Sequence, residues 1–519
     1  MRKGKKLNMV LAIMLAATMF LSACGNSNNG SNTTNTGTGN EGNTEAANNE
    51  ASDASKLKPR ELSIYFEGPA TQKDMKLVED EINKITKEAI NATVKVNHLG
   101  WNDYPQKMNL MMASGEPFDL MFTAGWGGFA ADVAKGAFHA LNGPDSKLLE
   151  TYGKGITDSI DPLMLTGTAI NGVNYAIPTQ KEMASQQGFL VQKDIAEKYG
   201  INEDTVKTLA DLEPFLVKIK QDNPSMIPFN ASSNWVSAYP YELVGQNSSQ
   251  GRLPKDGSTK VVNLFEQPEI KEHFKLMVKW NKLNLFQPDP GTNTDMSTQI
   301  NNGEVAVVQQ QLKPGKAEEF SIGKTEPWIQ IALEDAPYIA AGDLNNSMLA
   351  ISKTSEDPER AMMLLNLMHT DARIVNLLAY GVEGVHYVKV SDNVIKYPDG
   401  KTGKDVGYNP GNAWQIGNQF LSYLFEQENP NKWEEFKKFN EAAKPTPIIG
   451  FSFNAEPVKN EEAAIAAIWK EYIDGLSGGV LDVDKYLAEF NEKLKKAGSD
   501  KVIAEKNRQI EEFLKTQSK

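Results

Sequence analysis

The sequence is poor in the side chains that carry most metal and redox chemistry. Its 519 residues include a single cysteine, Cys24, so no intramolecular disulfide can stabilise the fold. The five histidines are isolated from one another, and none shows H-E-x-x-H or another spacing typical of a zinc site. No G-x-x-x-x-G-K-[ST] loop is present to bind a nucleotide phosphate. We therefore expect no metal site and no cofactor.

The chain also lacks a basic patch and, after its first residues, a long apolar run. Its formal net charge is −13, and removal of the basic cluster Arg2, Lys3, Lys5 and Lys6 would bring it to −17. Nucleic acids and anionic lipid surfaces both attract positive charge, so neither is a predicted partner. No stretch beyond Leu21 provides the roughly 20 apolar residues that a membrane-spanning helix needs.

Two short motifs match enzyme signatures, but neither has the context that its chemistry requires. Residues 475–479 read G-x-S-x-G, as in serine hydrolases, yet a helical pattern precedes them instead of a strand. The last histidine, His386, lies upstream of this motif, whereas that arrangement needs one downstream. Residues 37–42 match G-x-G-x-x-G, but they have no strand before them and no helix after them. We therefore predict that the chain is not an enzyme.

The one cysteine lies in a segment typical of an export signal. An almost purely apolar run, 9–21, follows the basic cluster, and small residues directly precede Cys24. The tetrapeptide 21–24 resembles a bacterial lipobox, which implies cleavage before Cys24 and acylation of its sulfur, as with palmitate. We predict a signal peptide over residues 1–23 and a lipid-modified Cys24.

The segment after the cysteine cannot form a core. Residues 25–55 contain no leucine, isoleucine, valine or aromatic side chain, so burial cannot offset the entropy of ordering them. We predict that residues 24–56 form a disordered tether with a span of about 30 Å. Roughly 460 residues then remain, which is too many for one core, so two lobes are expected.

The first part of the folded chain alternates between strand and helix patterns. Alternating apolar residues predict strands at 61–66 and 92–99, and a nearly continuous apolar run predicts a buried strand at 118–124. Helical spacing predicts helices at 73–90 and 106–114. This order is typical of an α/β fold with a parallel sheet, in which ligands bind beyond the carboxyl ends of the strands.

A second α/β series follows, and the chain ends in a largely helical region. Strand patterns occur at 188–192 and 347–352, with a helical pattern at 268–284 between them. From residue 410 onward the pattern is mostly helical, and 482–516 has the charged, amphipathic pattern of one helix.

Several segments of the chain resemble those of one family. Besides the lipobox and the tether, they are GWNDYPQKMNLMMASGEPFDLMFTAGW (100–126), NGVNYAIPTQ (171–180), DPERAMMLLNLMHTD (357–371), YGVEGVHYV (380–388), GNQFLSYL (417–424) and PIIGFSF (447–453). They are similar to segments of extracellular solute-binding proteins of ABC importers. More narrowly, they resemble the lipoprotein branch of the family-1, maltose-binding-like group. The resemblance covers the chain from residue 58 onward and says little about the ligand.

The resemblance implies a periplasmic-binding-protein-like α/β fold, in which two lobes are joined by a hinge like a Venus flytrap, with a mainly helical C-terminal part. We expect the N-terminal lobe to comprise residues 57–178 plus about 347–400. The C-terminal lobe would then comprise residues 179–346 plus about 401–519. The expected hinge residues are Tyr175, Pro178 and Leu344.

The resemblance also implies a binding site. In sugar-binding members of the family, aromatic rings stack on pyranose faces while acids and amides bond to hydroxyls. Trp126, directly after the predicted strand 118–124, carries over as a stacking platform, and Glu67, after the first strand, as a hydroxyl acceptor. Loop positions add further candidate ligand-binding residues, namely Gln180, Trp235, Tyr241, Asn346 and Trp414.

The implied function is solute capture at the extracellular face of the bacterial cytoplasmic membrane. We expect a lipid-anchored monomer that binds an oligosaccharide by hinge closure and delivers it to the transmembrane subunits of an ABC permease. Two alternatives stay open. One is a surface glycoside hydrolase, which needs only two carboxylates at a set separation. The other is a binding lipoprotein for a non-sugar solute such as a peptide.

Overall fold

The computed structural model describes residues 56–517 except 70, 102, 232–239, 246–250, 294–295 and 323. These residues belong to one compact unit of the chain, Asp53–Lys519. The predicted signal peptide, Cys24 and nearly all of the predicted tether lie outside the described residues.

The helices and strands occur in three successive parts of the chain. Those of the first part are β1 (Arg60–Glu67), α1 (Met75–Ile90), β2 (Ala92–Leu99), α2 (Tyr104–Ser114), β3 (Leu120–Thr123), α3 (Phe129–Ala134), α4 (Leu148–Tyr152), α5 (Lys154–Ser159), α6 (Pro162–Thr168) and β4 (Ala176–Pro178). Those of the second part are β5 (Gln186–Gln192), α7 (Lys193–Tyr199), α8 (Glu213–Asp222), β6 (Ile227–Phe229), β7 (Tyr241–Leu243), β8 (Gly251–Pro254), β9 (Val262–Asn263), α9 (Pro268–Lys282), α10 (Ser297–Asn301), β10 (Val305–Leu312), α11 (Lys316–Ser321) and β11 (Trp328–Ala332). Those of the third part are β12 (Tyr338–Ile339), β13 (Met348–Ile351), α12 (Pro358–Thr370), α13 (Ala372–Tyr380), β14 (Val388–Ser391), β15 (Val394–Lys396), β16 (Leu424–Phe425), α14 (Lys432–Ala442), β17 (Lys444–Pro445), α15 (Lys459–Ser477), α16 (Val483–Lys496) and α17 (Ser499–Gln517).

The first sheet has the strand order β2-β1-β3-β13-β4. Strands β2, β1 and β3 are parallel, as predicted, and β3 is buried along its whole length. Strand β13 runs antiparallel to β3 and β4, because β4 leaves this sheet and β13 returns to it. The carboxyl ends of β1, β2 and β3 therefore share one edge with the start of β13.

The second sheet has the order β11-β5-β10-β6. Strand β5 is antiparallel to both of its neighbours, and β10 is parallel to β6. Its core includes Phe189, Phe229 and Trp280, whose rings pack edge to face. The second α/β series predicted from the sequence thus forms a sheet of its own.

Three chain segments run side by side between the two sheets. They are residues 179–185, 338–347 and 444–449. Ser185 and Tyr338 exchange backbone hydrogen bonds of 2.9 Å in both directions, and β12 pairs in parallel with β17. We call these three segments the crossing ribbon.

The predicted hinge residues lie next to the crossing ribbon. Pro178 ends β4 and pairs with Met348 in the first sheet. Tyr175 directly precedes β4. Leu344 is buried within the ribbon and packs against the apolar core of the first sheet, which we call the first core. Their role as a hinge stays a prediction.

A third core joins α9 to the C-terminal helices. The ring of Phe265, in the 3-10 turn just before α9, lies 4.8 Å from that of Phe490 of α16. The single helix predicted for 482–516 is wrong: α16 and α17 are separate, because the chain turns at Gly498, which has a φ of 98°. Residues 413–425 form two short 3-10 turns and β16 before the helices begin.

Candidate functional site

A cavity of about 470 Å³ lies between the carboxyl-end edge of the first sheet and the C-terminal region. Its volume is within the range of small-molecule sites. Trp126, Asn346 and Trp414, three of the residues predicted from the sequence, line it together. They come from widely separated parts of the chain, and the fold of the first sheet brings them to one place.

The tight turn after β3 presents Trp126 to the cavity. Its side chain is 44% exposed, and its indole N–H donates to the carbonyl oxygen of Asn346 at 2.9 Å. The ring also contacts Phe122 of β3, with centroids 5.9 Å apart. The indole is therefore fixed by the hydrogen bond at its N–H edge and by its contact with Phe122, while much of its surface stays exposed.

Gly125 allows this turn to approach β13. Its N–H donates to the carbonyl oxygen of Asn345 at 2.7 Å. A Cβ at Gly125 would collide with the side chain of Asn345, which is itself buried. Glycine is thus required here for close approach rather than for an unusual φ.

Trp414 lines the same side of the cavity from a 3-10 turn. Its ring packs edge to face against Phe122 at 5.4 Å, and its carbonyl oxygen accepts from Ser347 at 2.8 Å. We call Trp126, Asn346 and Trp414 the sheet wall.

Trp101 extends this aromatic group. It follows β2, is 50% exposed, and lies parallel to Trp414 with centroids 6.2 Å apart and an interplanar angle of 2°. Trp101 lies in the family-like segment 100–126 but is not among the site residues predicted from the sequence. Its position after a parallel strand is the signal that would have found it.

Glu67 ends β1 at the same edge of the sheet. Its side chain is buried, and burial raises its pKa to about 7. Its carbonyl oxygen accepts a hydrogen bond of 2.8 Å from Nε2 of Gln415, the residue after Trp414. The structure therefore places Glu67 close to the sheet wall, although it does not line the cavity itself.

The other side of the cavity is apolar and comes from the C-terminal region. Ile448, Phe451, Ser452 and Phe453 line it, and we call these four residues the C-terminal wall. Phe451 and Phe453 also belong to the third core. These residues belong to the family-like segment 447–453 and are not among the site residues predicted from the sequence.

Charged side chains lie where the cavity meets the crossing ribbon. Lys181 and Asp343 line the cavity, and Lys181 donates to Glu182 at 3.0 Å. Burial raises the pKa of Asp343 to about 6. Burial opposes ionisation of Glu182, but the ammonium groups of Lys181 and Lys313 outweigh it and lower its pKa to about 2.

A smaller cavity of about 190 Å³ adjoins the first. Both are lined by Lys181, Gln311, Asp343 and Asn346, and the smaller one adds Lys313 and Lys316. The floor of the combined space is therefore polar, which suits a ligand with many donors and acceptors.

The remaining predicted site residues are not brought to the cavity. Gln180 accepts from the N–H of Asp161 at 3.2 Å and so packs against the start of α6. The hydroxyl of Tyr241 donates to Glu269 of α9 at 2.5 Å, although Leu243 at the other end of β7 lines the cavity. Trp235 lies outside the described residues. Ligand contacts by all three stay predictions.

Within the described ranges, no helix is long and apolar enough to cross a membrane. The same ranges contain no group of three or more histidine, cysteine or acidic side chains arranged to hold a metal ion.

Two family profiles match the chain. One, described as "Bacterial extracellular solute-binding protein", matches residues 81–382. The other, described as a domain of unknown function (DUF3502), matches residues 447–515 and therefore includes the C-terminal wall.

Relatives from Streptococcus pneumoniae match over almost the whole chain. A protein of strain TIGR4 named carbohydrate ABC transporter substrate-binding protein is 29% identical over 522 residues, which cover 99% of each chain. The crystal structure of the N-glycan transport solute binding protein NgtS is 28% identical, with a TM-score of 0.78 over 89% of this chain and 100% of that one.

Two further NgtS structures contain a glycan. The complex with Man1GlcNAc has a TM-score of 0.75 over 88% of this chain and 100% of that one, and the complex with Man5GlcNAc has 0.72 over 88% and 99%. The identity is again 28% in both. These matches confirm the periplasmic-binding-protein-like fold predicted from the sequence. Since the first profile spans more than half of the chain, the chain belongs to the bacterial extracellular solute-binding protein family.

Proposed function

We propose that this protein is the carbohydrate-binding component of an ABC importer and that the cavity holds an oligosaccharide. The observation that carries the proposal is the sheet wall, where two tryptophans and an asparagine line one cavity. Indole faces suit the C–H-rich faces of pyranose rings, and amides suit their hydroxyls. The names of the streptococcal relatives support the same ligand class.

We expect binding without a covalent step. Asp343 is the one acidic residue among the described residues that line the main cavity. Glu182 of the adjoining smaller cavity pairs with Lys181 at 3.0 Å and Lys313 at 3.3 Å. Glycoside hydrolysis uses two carboxyl groups that flank the scissile bond. The protein instead captures the sugar, closes around it at the crossing ribbon and releases it to the permease unchanged. The ligand then stabilises the closed state by its extra contacts there.

The lobes that close are those predicted from the sequence, residues 57–178 with about 347–400 and residues 179–346 with about 401–519. Core packing supports one change to this division. Tyr408 and Ile416 are buried in the first core, so we assign the chain up to at least residue 416 to the N-terminal lobe.

We further propose that Cys24 anchors the protein at the extracellular face of the membrane. The tether predicted for residues 24–56 would keep the binding unit within reach of its permease. In a Cys24→Ala strain, we expect the protein to be released or mislocalised, with unchanged sugar affinity of the folded part. A variant with the same location and the same lipid modification as the wild type would contradict the anchor.

The central test is a titration of residues 56–519 with Man5GlcNAc, followed by mass spectrometry of the recovered glycan. We expect saturable binding, an intact glycan, and a smaller radius of gyration by small-angle X-ray scattering when the sugar is bound. Release of a reducing end with turnover would favour a glycoside hydrolase. A peptide that raises the melting temperature where no glycan does would favour a different solute.

A further inference from the structure

The region of unknown function reaches the cavity through one short segment. Residues 446–455 connect β17 to a 3-10 turn and α15, and they contain the whole C-terminal wall. Thr446, at the start of this segment, bonds to two neighbouring elements. Its N–H donates to the carbonyl oxygen of Ile339, in another segment of the crossing ribbon, at 2.8 Å, and its hydroxyl donates to Glu242 of β7 at 3.0 Å.

Helix α17 holds the other end of the segment. Gln509 Nε2 donates to the carbonyl oxygen of Asn454 at 2.9 Å, and the N–H of Asn454 donates to Gln509 Oε1 at 3.0 Å. Phe513, one turn further along α17, packs against Phe451 with centroids 5.7 Å apart. Residues four apart lie on one helix face. One face of α17 therefore contacts both the backbone and a side chain of this segment.

A second layer backs the wall at Phe453. The fully buried Lys506 of α17 places its Nζ 5.1 Å from the centre of the Phe453 ring. Gly245, which also lines the cavity, has a φ of 92°. A Cβ on it would lie 3.1 Å from the Phe453 ring and 3.5 Å from Lys506 Nζ. Gly245 and Lys506 therefore both pack closely against the Phe453 ring.

Helix α17 is itself fixed to the rest of the chain. The side-chain amide of Asn507 exchanges hydrogen bonds with the backbone of Val261, at 2.8 and 3.1 Å. On α16, Lys495 pairs with Glu266 at 2.8 Å. The region of unknown function is therefore continuous with the third core and is not an appended module.

We propose that the region 447–515 determines which oligosaccharides the cavity accepts, with the C-terminal wall as the contact surface and Gln509 as the positioning residue. This inference rests on the proposed sugar-binding function. A glycan large enough to touch both walls gains from a fixed C-terminal wall, whereas a short glycan bound at the sheet wall gains little. The selected class is thus a glycan of several rings.

Two variants of residues 56–519 test the proposal by calorimetric titration with Man5GlcNAc and Man1GlcNAc. Gln509→Leu keeps the approximate size of the side chain and removes both hydrogen bonds to Asn454, together with the one that Gln509 donates to Glu505 at 2.7 Å. Ser452→Phe adds bulk at the cavity surface and leaves the hydrogen bonds between Gln509 and Asn454 in place. Arg508→Leu is the control, because it also removes bonds to Glu505, and to Glu512, but leaves both hydrogen bonds to Asn454 intact.

Both variants should weaken Man5GlcNAc binding relative to Man1GlcNAc by about tenfold, or about 1.4 kcal/mol. The control should keep the ratio of the two dissociation constants within about twofold. Gln509→Leu should also speed hydrogen exchange at the amide of Asn454 in the absence of sugar, since that amide loses its acceptor.

The outcomes separate the two proposals. If the wild type binds glycans and neither variant changes the ratio, the wall proposal is overturned and the sugar-binding function stands. An equal loss for both glycans would indicate only a structural role, which also overturns it. If the wild type binds no glycan, both proposals fail. Should Gln509→Leu not fold, Ser452→Phe alone decides.

Discussion

The two walls of the cavity differ in how they present their aromatic rings. On the sheet wall, Trp126 is 44% exposed, whereas Phe451 and Phe453 of the C-terminal wall are 7% and 9% exposed. A ring that is free on its face can stack on a ligand, but a ring packed into a core mainly limits the space beside it. We therefore expect the sheet wall to provide binding affinity and the C-terminal wall to select among oligosaccharides.

The strongest test of this difference is Trp126→Ala. Loss of an open indole face should cost about 2–3 kcal/mol of binding free energy, or roughly 30- to 150-fold in the dissociation constant for Man5GlcNAc. Titration calorimetry measures it. Leu110→Ala is the control, because Leu110 is 63% exposed on α2 and does not line the cavity. Equal affinities for Trp126→Ala and the control would mean that the sheet wall does not bind the sugar.

Gly125→Ala tests whether the sheet wall depends on its tight turn. The added methyl group should displace Asn345 and lower the free energy of unfolding by about 1–2 kcal/mol. Gly127→Ala is a matched control two residues away, where a Cβ would meet nothing within 4 Å. Urea denaturation of both variants and of the wild type measures the change in the free energy of unfolding. If both variants are as stable as the wild type, the close approach of this turn to Asn345 is not tightly packed.

Trp101→Ala tests how far the sheet wall extends. Trp101 stacks on Trp414 but does not line the cavity, so its loss should weaken Man5GlcNAc binding by only about fivefold, or about 1 kcal/mol. An effect as large as that of Trp126→Ala would show that the wall extends to Trp101. The melting temperature of the variant separates lost binding from lost stability.

Glu67 should make the free energy of unfolding depend on pH. Burial raises the pKa of Glu67 from an ordinary 4.5 to about 7. Between these values the folded protein binds more protons than the unfolded chain, so the contribution of Glu67 to stability falls as pH rises through this window and is level above it. Glu67→Gln should remove that contribution. Urea denaturation at pH 5 and pH 8 gives the free energy of unfolding of the variant and of the wild type. If this free energy changes equally with pH in both proteins, the raised pKa of Glu67 is contradicted.

Only part of the sheet wall follows from a rule that can be applied to the sequence. Trp126 directly follows a buried strand, where parallel sheets place their ligands, and the family resemblance selects the same residue. Asn346, Trp414 and Tyr241 are all predicted from loop position, which does not tell which of them reaches the cavity. In the structure Tyr241 begins β7, and its hydroxyl turns to Glu269.

The C-terminal wall could not be found in this way. Phe451 and Phe453 lie in a segment between regular elements, so no periodicity marks them. Their placement depends on Gln509 and Phe513, more than fifty residues later, and no local pattern encodes such a distant contact. The split between α16 and α17 was missed for a simpler reason, since the amphipathic pattern continues past Gly498 in both helices.

The crossing ribbon also limits the degrees of freedom of the molecule. A single connecting segment would let its ends rotate about any backbone bond. Three segments joined laterally by hydrogen bonds, such as those between Ser185 and Tyr338 and between Ile339 and Thr446, resist torsion and shear within their plane. Bending across that plane leaves the lateral bonds intact, so the softest motion of the ribbon is rotation about one axis.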